Sequence, residues 1–179
     1  SELMIRIFQH NVSSGFRPGY VVAASVCLCL ALLTFPAKGR PQLLRDQFGA
    51  TGSLQDHLGS VQVVIVVSAK RLRRIKRWEQ AIRKHYDTLP LLRVADIPRT
   101  APVEYDTVAA KLRKRLPDDV NVLIDLEGHW SKEYGLDTGV PNLLVFDPAG
   151  ELAARHAGKY KSAGFEALRI DLDRLLQSQ

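Results

Sequence analysis

Cysteine is nearly absent from this sequence: its 179 residues include two, Cys27 and Cys29, both inside one apolar run. From Arg40 onward there is no thiol, which excludes from that stretch both a disulfide staple and a thiolate nucleophile. His57, His85, His129 and His156 are scattered without a pair at metal-ligand spacing, so no metal site is expected. Long apolar runs are equally scarce. The one candidate, Tyr20 to Phe35, falls short of the ~20 residues of a comfortable membrane span. There is no low-complexity stretch and no internal repeat. A nucleic-acid module is missing as well, because aromatic residues are not interleaved with the basic ones, and nucleic acid is not expected as a partner.

What is present is the balance of a globular protein. Hydrophobic residues make up 46% and charged residues 25%, enough for one cored domain with an appendage. The net charge of +6 is compatible with anionic partners and requires none. Arg6, His10 and Arg17 precede the apolar run, and Pro36, Ala37, Lys38 and Gly39 break it. A basic start, an apolar stretch and a small-x-small Ala37-Lys38-Gly39 are the parts of a secretory signal. Residues 1–39 are therefore read as a cleaved signal, with a retained membrane anchor as the alternative and a helix of the soluble fold as the third reading. Lipid attachment at Cys27 is disfavoured by the branched Val26 before it.

Residues 40–179 read as one domain. Leu43 to Leu58 carries turn-formers at Gly49 and Gly52 and a short helical end, and Val61 to Val67 is a continuous β-branched run expected to be a strand buried on both faces. Leu72, Ile75, Trp78 and Ile82 recur at helical spacing. Leu91 to Ile97 reads as a second strand, Pro98 and Pro102 bracket a loop, and Val108, Leu112 and Leu116 mark a helix stopped at Pro117. Asn121 to Asp125, Leu143 to Phe146 and Glu151 to His156 are further strands, the last two forming a hairpin across Asp147-Pro-Ala-Gly150. Phe165, Leu168, Leu172 and Leu175 define a closing helix. This order predicts an α/β sandwich with parallel crossovers first and an antiparallel hairpin last.

GATGSLQDHLGSVQVVIVVSA and VNVLIDLEGHWSKEYGLDTGVPNLLVFDPAGELAARHAG carry a family resemblance. Most of Leu43 to Leu176 resembles the thioredoxin-fold redoxins, in particular the exported group related to peroxiredoxins and TlpA-like thiol–disulfide proteins. The resemblance implies a three-layer sandwich with a mixed central sheet flanked by helices. It also implies a cis bond before Pro141 and a Val140 backbone that pairs with an extended peptide. That family places its reactive cysteines where the helix after the first core strand begins, because a helix start stabilises a thiolate. Here that position holds Arg71-Leu72-Arg73-Arg74, and the peroxidase pattern Pro-x-x-x-Thr-x-x-Cys is also missing.

The basic residues of SAKRLRRIKRW, from Ser68 to Trp78, are Lys70, Arg71, Arg73, Arg74, Lys76 and Arg77. Cations at a helix start oppose its dipole by ~0.3–1 kcal/mol each, so the run invites an anion-site reading, for phosphate, carboxylate or an acidic headgroup. The plainer reading is the solvated face of an amphipathic helix. Ser68, the Glu127-Gly128-His129 turn, Asp125 and Asp147 lack the partners of a catalytic residue. The expectation is a redox-inactive exported module, periplasmic or extracellular, or membrane-anchored with its domain outside the cytoplasm. It would use Lys70, Arg71, Arg73, Arg74, Val140 and Pro141 to hold a protein or peptide of the envelope, acidic ones included. No catalytic residue, metal or cofactor is expected. Residues 20–35 supply a route to membrane association. The alternatives are a thiol–disulfide or peroxiredoxin-related enzyme using Cys27 and Cys29 or a partner's thiols, and a structural envelope protein tethered by its N-terminal helix.

Overall fold

The computed structural model describes residues 43–97 and 102–178. The expected signal or anchor, and most of the loop between Pro98 and Pro102, lie outside the described residues. In chain order the strands are β1 (Leu44–Asp46), β2 (Thr51–Gly52), β3 (Gln62–Ser68), β4 (Leu91–Asp96), β5 (Leu123–Asp125), β6 (Asn142–Phe146) and β7 (Leu152–Ala157). The helices are α1 (Lys76–His85), α2 (Tyr105–Arg113), α3 (His129–Tyr134) and α4 (Ser162–Gln177), with 3-10 helices at Leu54–His57 and Ala69–Arg74.

All seven residues of β3 are buried, as a β-branched run between two layers requires. The pleat divides them. Val63, Ile65 and Val67 face a core built from Leu72, Trp78, Ile82, Leu112, Phe165 and Leu168, and so from α1, α2 and α4. Val64 and Val66 face the opposite core, where Trp130 of α3 packs with Phe146 and Leu54. Each fully buried branched side chain contributes roughly 1.5–3 kcal/mol, so these five residues alone supply on the order of 10 kcal/mol of gross burial energy. The result is three layers, helices on both sides of one sheet.

The sheet order is β2-β1-β5-β4-β3-β6-β7. β3, β4 and β5 run parallel, while β6 pairs antiparallel with β3 and β7 antiparallel with β6. This is the mixed sheet flanked by helices that the sequence predicts. One addition lies at the far edge. The three-residue β1 and two-residue β2 form a hairpin whose first strand pairs with β5. Each is too short to show a period.

Candidate functional site

The site begins where β3 ends. Ser68 is buried, and its backbone N–H donates to Thr138 O at 2.8 Å, which fixes the strand end against the loop before β6. The chain then turns through the 3-10 helix Ala69–Arg74, and α1 starts only at Lys76. Here the structure corrects the sequence reading, which put the whole basic run in the first turns of one α-helix. Leu72, Ile75 and Trp78 are spaced by threes, and a 3-10 turn brings i and i+3 onto one side. All three are buried. Lys70, Arg71, Arg73 and Arg74 therefore precede the α-helix, and only Lys76 and Arg77 stand against its N-terminus.

Lys70, Arg71, Arg73, Lys76 and Arg77 are exposed, and Arg74 is half-buried. Among the described residues none of the six takes part in an ion pair. Between Asp56 and Glu79 the sequence has no carboxylate at all. The cations thus face solvent without local neutralisation, apart from one directed contact. Arg74 donates from Nη1 to Gly139 O at 2.9 Å, joining the basic run to the loop that leads to Val140 and Pro141.

That loop is braced from within. Gly135, in the left-handed conformation at φ 58°, ends α3, and Asp137 Oδ1 accepts the Gly139 N–H at 2.9 Å. The buried Asn142 amide donates to Asp137 O at 2.8 Å and Val140 O at 2.9 Å, with a longer approach of 3.4 Å to Val66 O. The Val140 N–H donates to Asp137 O at 3.4 Å. Both backbone polar groups of Val140 are thus engaged inside the loop, so pairing with an extended peptide first requires the long N–H bond to open. Pro141 is buried; its carbonyl accepts the Gly158 N–H at 2.9 Å, and Gly158 O in turn accepts Trp78 Nε1–H at 3.1 Å. α1, the end of β7 and Pro141 form one bonded chain. The structure therefore brings Arg74 to the Val140–Pro141 loop and leaves Lys70, Arg71 and Arg73 projecting beside it.

A polar row that sequence reasoning missed lies behind this loop. Ser68, Asp96 and Asp125 are register partners across β3, β4 and β5, all buried at the carboxyl ends of the parallel strands. Asp96 accepts Thr138 Oγ1–H at 2.6 Å and Ser131 Oγ–H at 3.3 Å, which ties the loop and α3 to the sheet. Asp125 Oδ2 accepts the Trp130 N–H at 3.0 Å and caps α3, while its Oδ1 meets no donor among the described residues. The available signal was a polar residue closing each of these apolar strands, Ser68, Asp96 and Asp125. Among the described residues the bonds of the two carboxylates run to Trp130, Ser131 and Thr138, which tie α3 and the loop to the sheet. Glu127 is exposed and His129 opens α3 after Gly128 at φ 58°, the turn expected from the sequence.

Two clefts are lined by residues other than the basic run. One, of about 220 Å³, is walled by Leu44, Tyr105, Ile124, Glu127 and His129. The other, of about 360 Å³, is walled by Asp46, Asp56, His57, Arg93 and Asp119. Among the described residues no group of histidine, cysteine and carboxylate side chains is arranged to hold a metal ion. No helix among them is long and apolar enough to cross a membrane.

No protein-family model and no curated protein matches the chain. Solved structures do. The pneumococcal exposed lipoprotein thioredoxin Etrx1 of Streptococcus pneumoniae aligns over 76% of this chain and 100% of its own, at a TM-score of 0.60 and 19% identity. A putative thiol:disulfide interchange protein DsbE of Chlorobium tepidum aligns over 76% and 94%, at 0.55 and 20% identity. Yeast Sco1 aligns over 78% and 97%, at 0.55 and 14% identity. The likeness is one of architecture, spanning nearly the whole of each neighbour, and the chain has a thioredoxin-like fold.

Proposed function

We propose that this chain is a redox-inactive thioredoxin-fold binding module. Its surface is the cationic end formed by Lys70, Arg71, Arg73 and Arg74 beside the Val140–Pro141 loop, and its partner is a protein, peptide or other anion of the cell envelope. One observation carries the reading: cations without a carboxylate partner among the described residues follow β3, where the resemblance to redoxins implies cysteines, and no thiol exists from Arg40 onward. Mutual repulsion among them is unfavourable to the free domain and is relieved by an anionic partner. The location outside the cytoplasm belongs to the same reading. It is supported by the signal-like residues 1–39 and by neighbours that include an exposed lipoprotein. A cis bond before Pro141 is also part of it.

The test is titration with a fluorescent oligo-glutamate peptide at low salt, using wild type and an R71A/R73A/R74A variant checked for folding by circular dichroism. Saturable binding that the variant loses is the expected outcome. Equal behaviour of the two proteins would reduce the run to a solvated surface.

The thiol–disulfide proteins among the neighbours favour a second reading, an oxidoreductase that relies on Cys27 and Cys29 or on a partner's thiols. Thiol-dependent turnover lost in a C27S/C29S variant would establish it in place of the first.

A further inference from the structure

The basic run and the point where the chain enters the domain lie at the same end of the sheet. β1 is antiparallel to β5, with Arg45 opposite Ile124 and Asp46 opposite Leu123, so Leu44 falls opposite Asp125. Asp125 is in register with Asp96, and Asp96 with Ser68, the residue from which the basic run departs. Leu44 and Ser68 are thus separated by three strand steps across one edge, ~14 Å at the usual strand spacing. α1 runs back from that same edge, so Lys76 and Arg77 at its start belong there too. Upstream of Leu43 only seven residues, Pro36 to Gln42, separate the domain from the apolar run Tyr20–Phe35. Seven residues span at most roughly 25 Å when fully extended.

We infer that this cationic end docks on the anionic surface of a lipid bilayer, with Lys70, Arg71, Arg73, Lys76 and Arg77 facing the headgroups and the chain entering at β1 from the same side. The inference rests on the reading of this end as a binding surface and names its partner. The side chains suit a plane of charge. They are exposed, without an ion pair among the described residues, and spread over eight residues, while the Arg74 guanidinium is already directed at Gly139. A basic residue close to an anionic leaflet gains roughly a fivefold preference for it, within a Debye length of about 8 Å at physiological salt. Glu104, Glu127 and Asp137 are exposed carboxylates on connections at this end, and Asp137 lies in the loop that Arg74 contacts, its Oδ1 accepting the Gly139 N–H; the six cations of the run outnumber these three.

The experiment uses the full chain in phosphatidylcholine vesicles with and without phosphatidylglycerol. It reads energy transfer from Trp78 and Trp130, the two tryptophans, to dansyl-labelled headgroups. Transfer is expected to rise with the anionic lipid and to fall as salt is added. It is expected to be lost in R71A/R73A/K76A/R77A and retained in R71K/R73K/R77K, because a smeared field reads charge and not guanidinium geometry. Equal transfer in the two vesicle types overturns the inference, and so does a lysine variant that behaves like the alanine one. Oligo-glutamate binding that persists beside equal transfer removes the lipid surface and leaves the proposed function standing. Failure of both removes both.

Discussion

Removing the Asn142 side-chain amide tests whether the loop before β6 is held by the sheet or merely rests on it. Asn142 is 5% exposed and donates two good bonds, to Asp137 O at 2.8 Å and Val140 O at 2.9 Å. A typical intramolecular hydrogen bond contributes ~1 kcal/mol net, so N142A should lose about 2 kcal/mol. For a domain of this size that is a fall in Tm of about 8 °C. N142D should lose more at pH 7, because its new carboxylate oxygen would face carbonyl oxygens where an N–H₂ had donated. The gap between the two variants should close as pH falls toward about 4, where an aspartic carboxyl regains a proton and can donate again. Urea unfolding of the two variants side by side reads both effects, with pH responses of the rest of the chain cancelling between them. Amide exchange adds a local readout, since the Ser68 N–H bonded to Thr138 O should exchange faster in both. Two variants within ~0.5 kcal/mol of wild type, the range of ordinary surface substitutions, would refute this account of the loop. So would an N142D no worse than N142A at pH 7.

Two further predictions concern the helices. Gly164 lies in α4, and a Cβ added there would meet Trp78 Cη2 at 3.4 Å, an ordinary contact; since glycine within a helix costs ~1 kcal/mol relative to alanine, G164A should stabilise the fold by ~0.5–1 kcal/mol in urea unfolding, and a loss of stability would mean the packing has no slack. Burial pushes the Tyr134 phenol up to about 12, with the Glu133 carboxylate adding to the effect and Arg155 opposing it. A folded value above the unfolded ~10 means this contribution is intact below pH 10 and is lost as pH climbs toward 12. Y134F should therefore lose less stability than wild type over that interval; parallel losses would overturn the assignment.

Much of this frame was legible because it depends on local pattern. VQVVIVV could only be a strand covered on both faces, and the positions of Leu72, Ile75, Trp78 and Ile82 identified the inward side of the helical segment after it. The kind of helix was not legible, since spacing by threes satisfies a 3-10 turn and an α-helix equally. β1 and β2 escaped because their identity comes from pairing: Arg45 is a strand residue by virtue of lying opposite Ile124. The site divides the same way. The basic run and the Val140-Pro141 pair stand out as text, but Arg74 meeting Gly139, 65 residues away, is a product of the fold. Ser68, Asp96 and Asp125 become one row only after three strands align, and Asn142 read simply as the residue before the strand Leu143 to Phe146.

The physics of the site also explains how the loop is held beside the basic run. The bonds that locate the loop run from Asn142 to Val140, from Trp78 through Gly158 to Pro141, and from Arg74 of the basic run to Gly139. The same end has an electrostatic character. A strand end opening into a helix start, with arginines beside it, lowers the free energy of a negative charge placed there. That charge can be a thiolate of the chain itself or an anion brought from outside. The 3-10 turn sharpens the second use, since it carries Lys70, Arg71 and Arg73 away from the α-helix dipole that would otherwise oppose them. Only Lys76 and Arg77 bear that cost, in exposed positions where it is smallest. Mutual repulsion among the cations remains, because no carboxylate lies between Asp56 and Glu79 to offset it. On the proposed reading, that uncompensated charge is what an external anionic partner would complete.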